Sequence, residues 1–173
     1  MSSREVCATC LQPSPSFHCG LCQTAQCDDC VQQVSEGEFS YLKRLPPELS
    51  HRAYCGVCYG EKTEPALESY RETVERAKNV FVFYTTQRKA IPLIRRTKET
   101  LRVEECPDRD ETILRLAFFA AEQKFNAIVD VEVVSEKVRD GSYQTSKWKG
   151  TAYPAQVDAD KLERQYLRDQ IWR

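Results

Sequence analysis

The chain has 173 residues, 41% hydrophobic and 29% charged, with 25 Lys and Arg against 26 Asp and Glu and a net charge of −1. This balance excludes an extended disordered tail, and no run of about 18 apolar residues is present to span a membrane. The near-zero charge argues against a nucleic-acid binder that works by bulk electrostatics, so no nucleic-acid partner is expected.

The opening segment, MSSREVCATC, holds one arginine and no apolar core. It does not read as a secretory leader, and an intracellular, cytoplasmic location is expected. Eight of the nine cysteines lie between Cys7 and Cys58. They form four CxxC pairs: Cys7–Cys10, Cys19–Cys22, Cys27–Cys30 and Cys55–Cys58, with 8, 4 and 24 residues between successive pairs. One CxxC turn brings two sulfurs to one ion, and a tetrahedral zinc needs two such turns. Four turns therefore point to two structural Zn²⁺ sites. A disulfide framework is the alternative for a secreted chain. A redox CxxC would be a single pair near a βαβ pattern.

The four-residue gap between the second and third pairs is too short for two independent ribbons laid end to end. Interleaving is expected, with Cys7, Cys10, Cys27 and Cys30 on one ion and Cys19, Cys22, Cys55 and Cys58 on the other. Sequential pairing, first with second and third with fourth, is the alternative. A catalytic zinc keeps an open position and often takes histidine ligands. The chain has just two histidines, His18 and His51, so the module is read as non-enzymatic.

The pattern CxxC–x8–CxxC–x4–CxxC–x24–CxxC resembles the FYVE and FYVE-related cross-brace zinc finger. Phe17-His18-Cys19 is similar to that family's histidine before the third cysteine. Arg52-Ala53-Tyr54-Cys55-Gly56-Val57-Cys58-Tyr59 is similar to its closing Arg-Val-Cys-x-x-Cys-Tyr segment, with one residue inserted. The resemblance covers residues 5–62. RING fingers, the ubiquitin-ligase alternative, differ in a histidine ligand and a shorter gap. PHD fingers have a histidine where this chain has Cys27.

The FYVE resemblance implies a phosphoinositide-binding alternative. Lipid-binding members hold the phosphates of phosphatidylinositol 3-phosphate with a basic motif, where this chain reads Pro15-Ser16-Phe17-His18-Cys19-Gly20. His18 and Arg52 remain as candidate lipid or partner contacts. Residues 1–63 carry five Lys and Arg against seven Asp and Glu. Eight thiolates around two Zn²⁺ would bring that module to about −6. Anionic membranes attract basic patches, so a protein partner is expected over a phosphoinositide.

Residues 31–54 connect the third and fourth pairs. Val31 and Val34 are expected to continue a helical turn after Cys30. Phe39, Tyr41, Leu42 and Leu45 are read as a packing loop, broken at Pro46-Pro47. Residues 63–80 then read as a connecting helix, capped by Thr63 and carrying Leu67, Tyr70, Val74 and Ala77 at helical spacing.

Beyond it the period changes. Residues 80–85 read as a buried strand, and residues 89–104 as one or two extended pieces broken by Pro92. A helix is expected from Pro107 and Asp108 or Asp110 to about Lys124, with Leu114, Ala117, Phe118, Ala121 and Phe125 as its stripe. Residues 127–138 read as a strand with Val129, Val131 and Val133 on one face. Asp140-Gly141 is a turn signal before a strand over residues 143–157. Asp158 caps a last helix holding Leu162, Tyr166, Leu167 and Ile171. The expected order is β-β-α-β-β-α, an α+β domain with an antiparallel sheet.

Asn126-Ala127-Ile128-Val129-Asp130-Val131, with Gly150-Thr151-Ala152 later, resembles the YbjQ-type domain over residues 80–157. That family is described as heavy-metal-binding and forms rings, which implies a homo-oligomer through the C-terminal domain. Its metal is not carried over, because Cys106 is the single cysteine after Cys58 and no histidine follows. Asn126 is read as a left-handed turn or a buried hydrogen bond. Trp148 is expected to face away from Lys147 and Lys149.

The organisation expected is therefore a FYVE-like finger over 1–62, a connecting helix over 63–79 and a YbjQ-like α+β domain over 80–173. The function expected is a non-enzymatic zinc-binding adaptor.

Overall fold

The computed structural model describes residues 5–141 and 143–171, without the side chains at 36, 140, 143 and 169–171. Residues 1–4, part of the leader reading, and the side chain of Ile171 lie outside this set. The chain divides into two compact units, Met1–Glu72 and Thr73–Arg173.

The first unit is built from turns and very short strands. β1 (Phe17–His18) pairs antiparallel with β2 (Ala25–Gln26), and β3 (Gln32–Gln33) with β4 (Ala53–Tyr54). The turn after the third pair reaches Val31, whose N–H donates to the Cys27 carbonyl at 3.0 Å, but goes no further, because Gln32 and Gln33 pair with β4 and the Val34 N–H donates to Arg52. The connector packs as a loop: Phe39 and Leu49 are buried, while Leu45 is 47% exposed. The ring of Phe39 meets Tyr70 edge-on, with centroids 5.5 Å apart.

The helix expected over 63–80 begins earlier. α1 (Gly56–Cys58) starts at Cys55, whose sulfur accepts the Cys58 N–H at 3.4 Å. It runs through a π-helical turn at Tyr59–Thr63 into α2 (Glu64–Lys78). Thr63 is therefore not a cap. It is fully buried and donates its hydroxyl to the Glu48 carbonyl at 3.1 Å. A cysteine sulfur does the capping that sequence rules assign to Ser, Thr, Asp or Asn.

The second unit continues with β5 (Phe81–Tyr84), β6 (Leu93–Arg96), β7 (Leu101–Cys106), α3 (Arg109–Glu122), β8 (Ala127–Asp140), β9 (Tyr143–Val157) and α4 (Ala159–Ile171). The sheet runs β5-β8-β9-β6, and β7 also pairs with β9. Three strands precede the helix, and the sheet is mixed rather than antiparallel, because β5 lies parallel to β8. The chain between those two strands, which holds β6, β7 and α3, is long enough for the crossover a parallel pair needs.

Asp108 caps α3 by accepting the Glu111 N–H at 2.7 Å. The helix covers β7, β8 and β9. Its buried face includes Thr112, Leu116, Phe119 and Ala120 besides Ala117, Phe118 and Ala121, which is wider than one stripe. Gly150 permits this approach, since a Cβ there would lie 2.7 Å from Thr112 Cγ2. On β8 the alternation breaks: Asp130 and Val131 stand opposite Ala152 alone, a bulge with Asp130 at φ 50°. Val129 and Val131 are buried but Val133 is half-buried. Phe83, Ala127, Val129, Ala155 and Val157 form an apolar cluster against which Leu162 of α4 packs.

Candidate metal centre

Two knuckles show how the first unit shapes its cysteines. In the first, the Leu11 N–H donates to the Cys7 carbonyl at 2.9 Å; in the second, the Gln23 N–H does the same to Cys19. Leu11 and Gln23, each directly after the second cysteine of its pair, both sit at φ 61°. That left-handed step turns the chain back so that both thiols of a pair point the same way.

Long-range backbone bonds then join the pairs. The Ala8 N–H donates to Ala25, beside the third pair, and the Gly20 N–H donates to Ala53, beside the fourth, both at 2.9 Å. Cys7, Cys10, Cys27 and Cys30 converge in one group, and Cys19, Cys22, Cys55 and Cys58 in another, all sulfurs of a group within 4.8 Å of one another. Across the joined pairs, Cys10 and Cys27 sulfurs are 3.5 Å apart and those of Cys22 and Cys55 3.7 Å. Four sulfurs about 2.3 Å from a central ion define a tetrahedron with edges of about 3.8 Å. A disulfide would need about 2.05 Å, and all nine cysteines are free thiols. Each group therefore could hold one metal ion.

The thiols within each group differ in acidity. The backbone N–H of Cys10 holds the Cys7 thiol down to about 6, while the Cys27 sulfur pushes Cys30 up to about 12. In the second group the Thr24 hydroxyl, 3.0 Å from the Cys22 sulfur, holds that thiol down to about 6, and burial pushes Cys58 up to about 12. Four thiolates at this spacing repel one another. A divalent cation removes that repulsion and deprotonates its ligands.

Two residues that the cysteine pattern does not flag connect the groups. Gln26 is 1% exposed. Its Oε1 lies 4.0 Å from the Cys7 sulfur and accepts from the Thr9 hydroxyl at 2.9 Å; its Nε2 lies 3.5 Å from Thr24 Oγ1. Gln26 and Thr24 thus run from a ligand of one group to a ligand of the other. A polar residue inside a two-residue strand leaves no periodic signal in the sequence.

The remaining candidates are separate from these groups. His18, on β1, has Nε2 3.3 Å from Glu5 Oε1. Arg52 is exposed, and its carbonyl accepts the Val34 N–H at 3.0 Å. Cys106 is fully buried. Lys147 pairs with Glu105 and Lys149 with Glu136, each at 3.1 Å, and Trp148 is half-buried. Asn126 exchanges two 2.9 Å hydrogen bonds with the backbone of Val157, and the left-handed residue beside it is Lys124 at φ 63°. Among the described residues no helix is long and apolar enough to cross a membrane. Compared with known protein families, curated proteins and solved structures, the chain matches none.

Proposed function

We propose that the chain is a non-enzymatic, cytoplasmic, zinc-binding interaction protein. Its first unit is read as a cross-brace double-zinc finger of the FYVE-related kind that binds a protein partner. Its second unit is read as a YbjQ-like α+β domain that supplies self-assembly or a second binding surface. The observation carrying this reading is the convergence of the eight cysteines into two four-thiol groups joined across each other. Cys7, Cys10, Cys27 and Cys30 would hold one Zn²⁺, and Cys19, Cys22, Cys55 and Cys58 the other. Such an ion supplies folding free energy to a unit whose strands are two residues long.

Four protein ligands per ion leave no position open for a substrate, which favours a structural over a catalytic role. The acidic character of the finger and Glu5 beside His18 favour a protein partner over an anionic lipid. An all-sulfur tetrahedral set suits zinc or iron. Elemental analysis of the full-length chain is expected to find two zinc per chain, falling by one in Cys19→Ala. Iron, a single zinc or disulfides would reject the metal reading. Binding to vesicles containing phosphatidylinositol 3-phosphate at low salt, lost in His18→Ala with Arg52→Ala, would replace the protein partner by a lipid.

A further inference from the structure

The last helix leaves part of its apolar face uncovered. Leu162 packs on the sheet cluster, but Tyr166, one turn further on, is 64% exposed. Beside it runs β5, which pairs with β8 along one edge and with no other strand among the described residues. The Phe81 N–H donates to Asn126 on the β8 side at 2.9 Å. The next amide, that of Val82, therefore faces away from β8. Between β5 and α4 lies a groove of about 460 Å³, walled by Phe81 and Phe83 from the strand and by Leu162 and Tyr166 from the helix. Asp160 and Glu163 are the charged residues described along its rim.

Three features converge on one kind of occupant. The open strand edge offers backbone donors and acceptors to an extended chain. The apolar walls suit the alternate side chains of such a chain, which project on one side. The two carboxylates call for a cation. A compact apolar molecule would fill the volume but leave the strand edge and the carboxylates unanswered.

We propose that the groove between β5 and α4 binds an extended segment of a partner protein, which adds as a strand to β5, places apolar side chains against Phe81, Phe83 and Tyr166, and sets a lysine or arginine against Asp160 and Glu163. This rests on the reading of the second unit as a binding module and gives that module a site.

Phage-displayed random dodecapeptides selected on the full-length chain test it. Selected peptides are expected to alternate apolar residues and carry Lys or Arg. Their affinity should fall about tenfold in Tyr166→Ala and in Glu163→Lys. Both residues are exposed, and circular dichroism checks that each variant is folded. Peptide binding should also slow hydrogen exchange at the Val82 amide. Repeating the selection on Asp160→Lys with Glu163→Lys should favour acidic peptides. No selected peptide, equal binding by Tyr166→Ala, or peptides without a cation would overturn the proposal. So would a dimer that Tyr166→Ala dissociates, since a second copy would then fill the groove. Each of those results leaves the zinc content and the finger's own partner unaffected. Loss of zinc with intact peptide binding would instead reject the finger reading and keep the groove.

Discussion

A Cβ at Gly20 would lie 2.1 Å from His51 Cγ, so the knuckle of the second pair has no room for a side chain. Gly20→Ala must displace His51 or pull Cys19 and Cys22 from their group. It is expected to cost about 1–3 kcal/mol and to lower metal content at the second site first. His51→Gly in the same chain, which also removes the His51 Cβ at 2.3 Å, should restore both. Thermal melts with elemental analysis check this; a Gly20→Ala chain with unchanged melting would refute the clash. Gln26→Ala is expected to weaken metal binding at both sites about 10–100-fold, because the amide touches a ligand of one group and the hydroxyl that holds a ligand of the other. Chelator competition measures it, and an effect on neither site would remove the connection. The cysteines were legible in the sequence because metal ligation demands a particular residue type at a particular spacing. Gln26 was not, because its role depends on where the first and second pairs meet.

At the scale of elements, Asn126 acts as a piece of β-ladder: its side chain exchanges both hydrogen bonds with Val157, the last residue of β9. Asn126→Ala leaves buried backbone groups without those partners and is expected to destabilise the second unit by about 1–3 kcal/mol without changing metal content. Denaturant unfolding monitored by tryptophan fluorescence tests this, and a loss below about 0.5 kcal/mol would contradict it. Helix ends and turns followed their local rules at Asp108, Asp158 and Asp140-Gly141. The bulge at Asp130 did not, because alternation read along one strand carries no information on how many residues its partner sets opposite. The Cys55 cap escaped for a related reason: its sulfur accepts the Cys58 N–H as a side-chain oxygen would, but capping rules are drawn from oxygen side chains.

For the whole molecule, metal removal is expected to separate the two units. A chelator should unfold the first and leave the helices and sheet of the second, seen as partial loss of far-ultraviolet ellipticity with tryptophan fluorescence unchanged. Global unfolding would refute independent stability. Loading should also depend on pH with a definite sign. Cys30 and Cys58 hold their protons to about 12 in the metal-free chain, so the ions must displace protons at pH 7. Affinity then rises with pH and falls in acid, about tenfold per pH unit for each proton released. Zinc titrations at two pH values check this, and a flat profile would mean that the thiols are already ionised. By itself the sequence determined the spacing of the eight cysteines, the absence of a long apolar span, the start of α3 to within Asp108 or Asp110 and the β8–β9 turn, since each is decided within a few neighbouring residues. Only the tertiary structure decided that β5 runs parallel to β8, that Gln26 lies between the sulfur groups and that Tyr166 stays uncovered. Those outcomes depend on which distant segments meet, and that is settled by summing packing and backbone pairing over the whole fold.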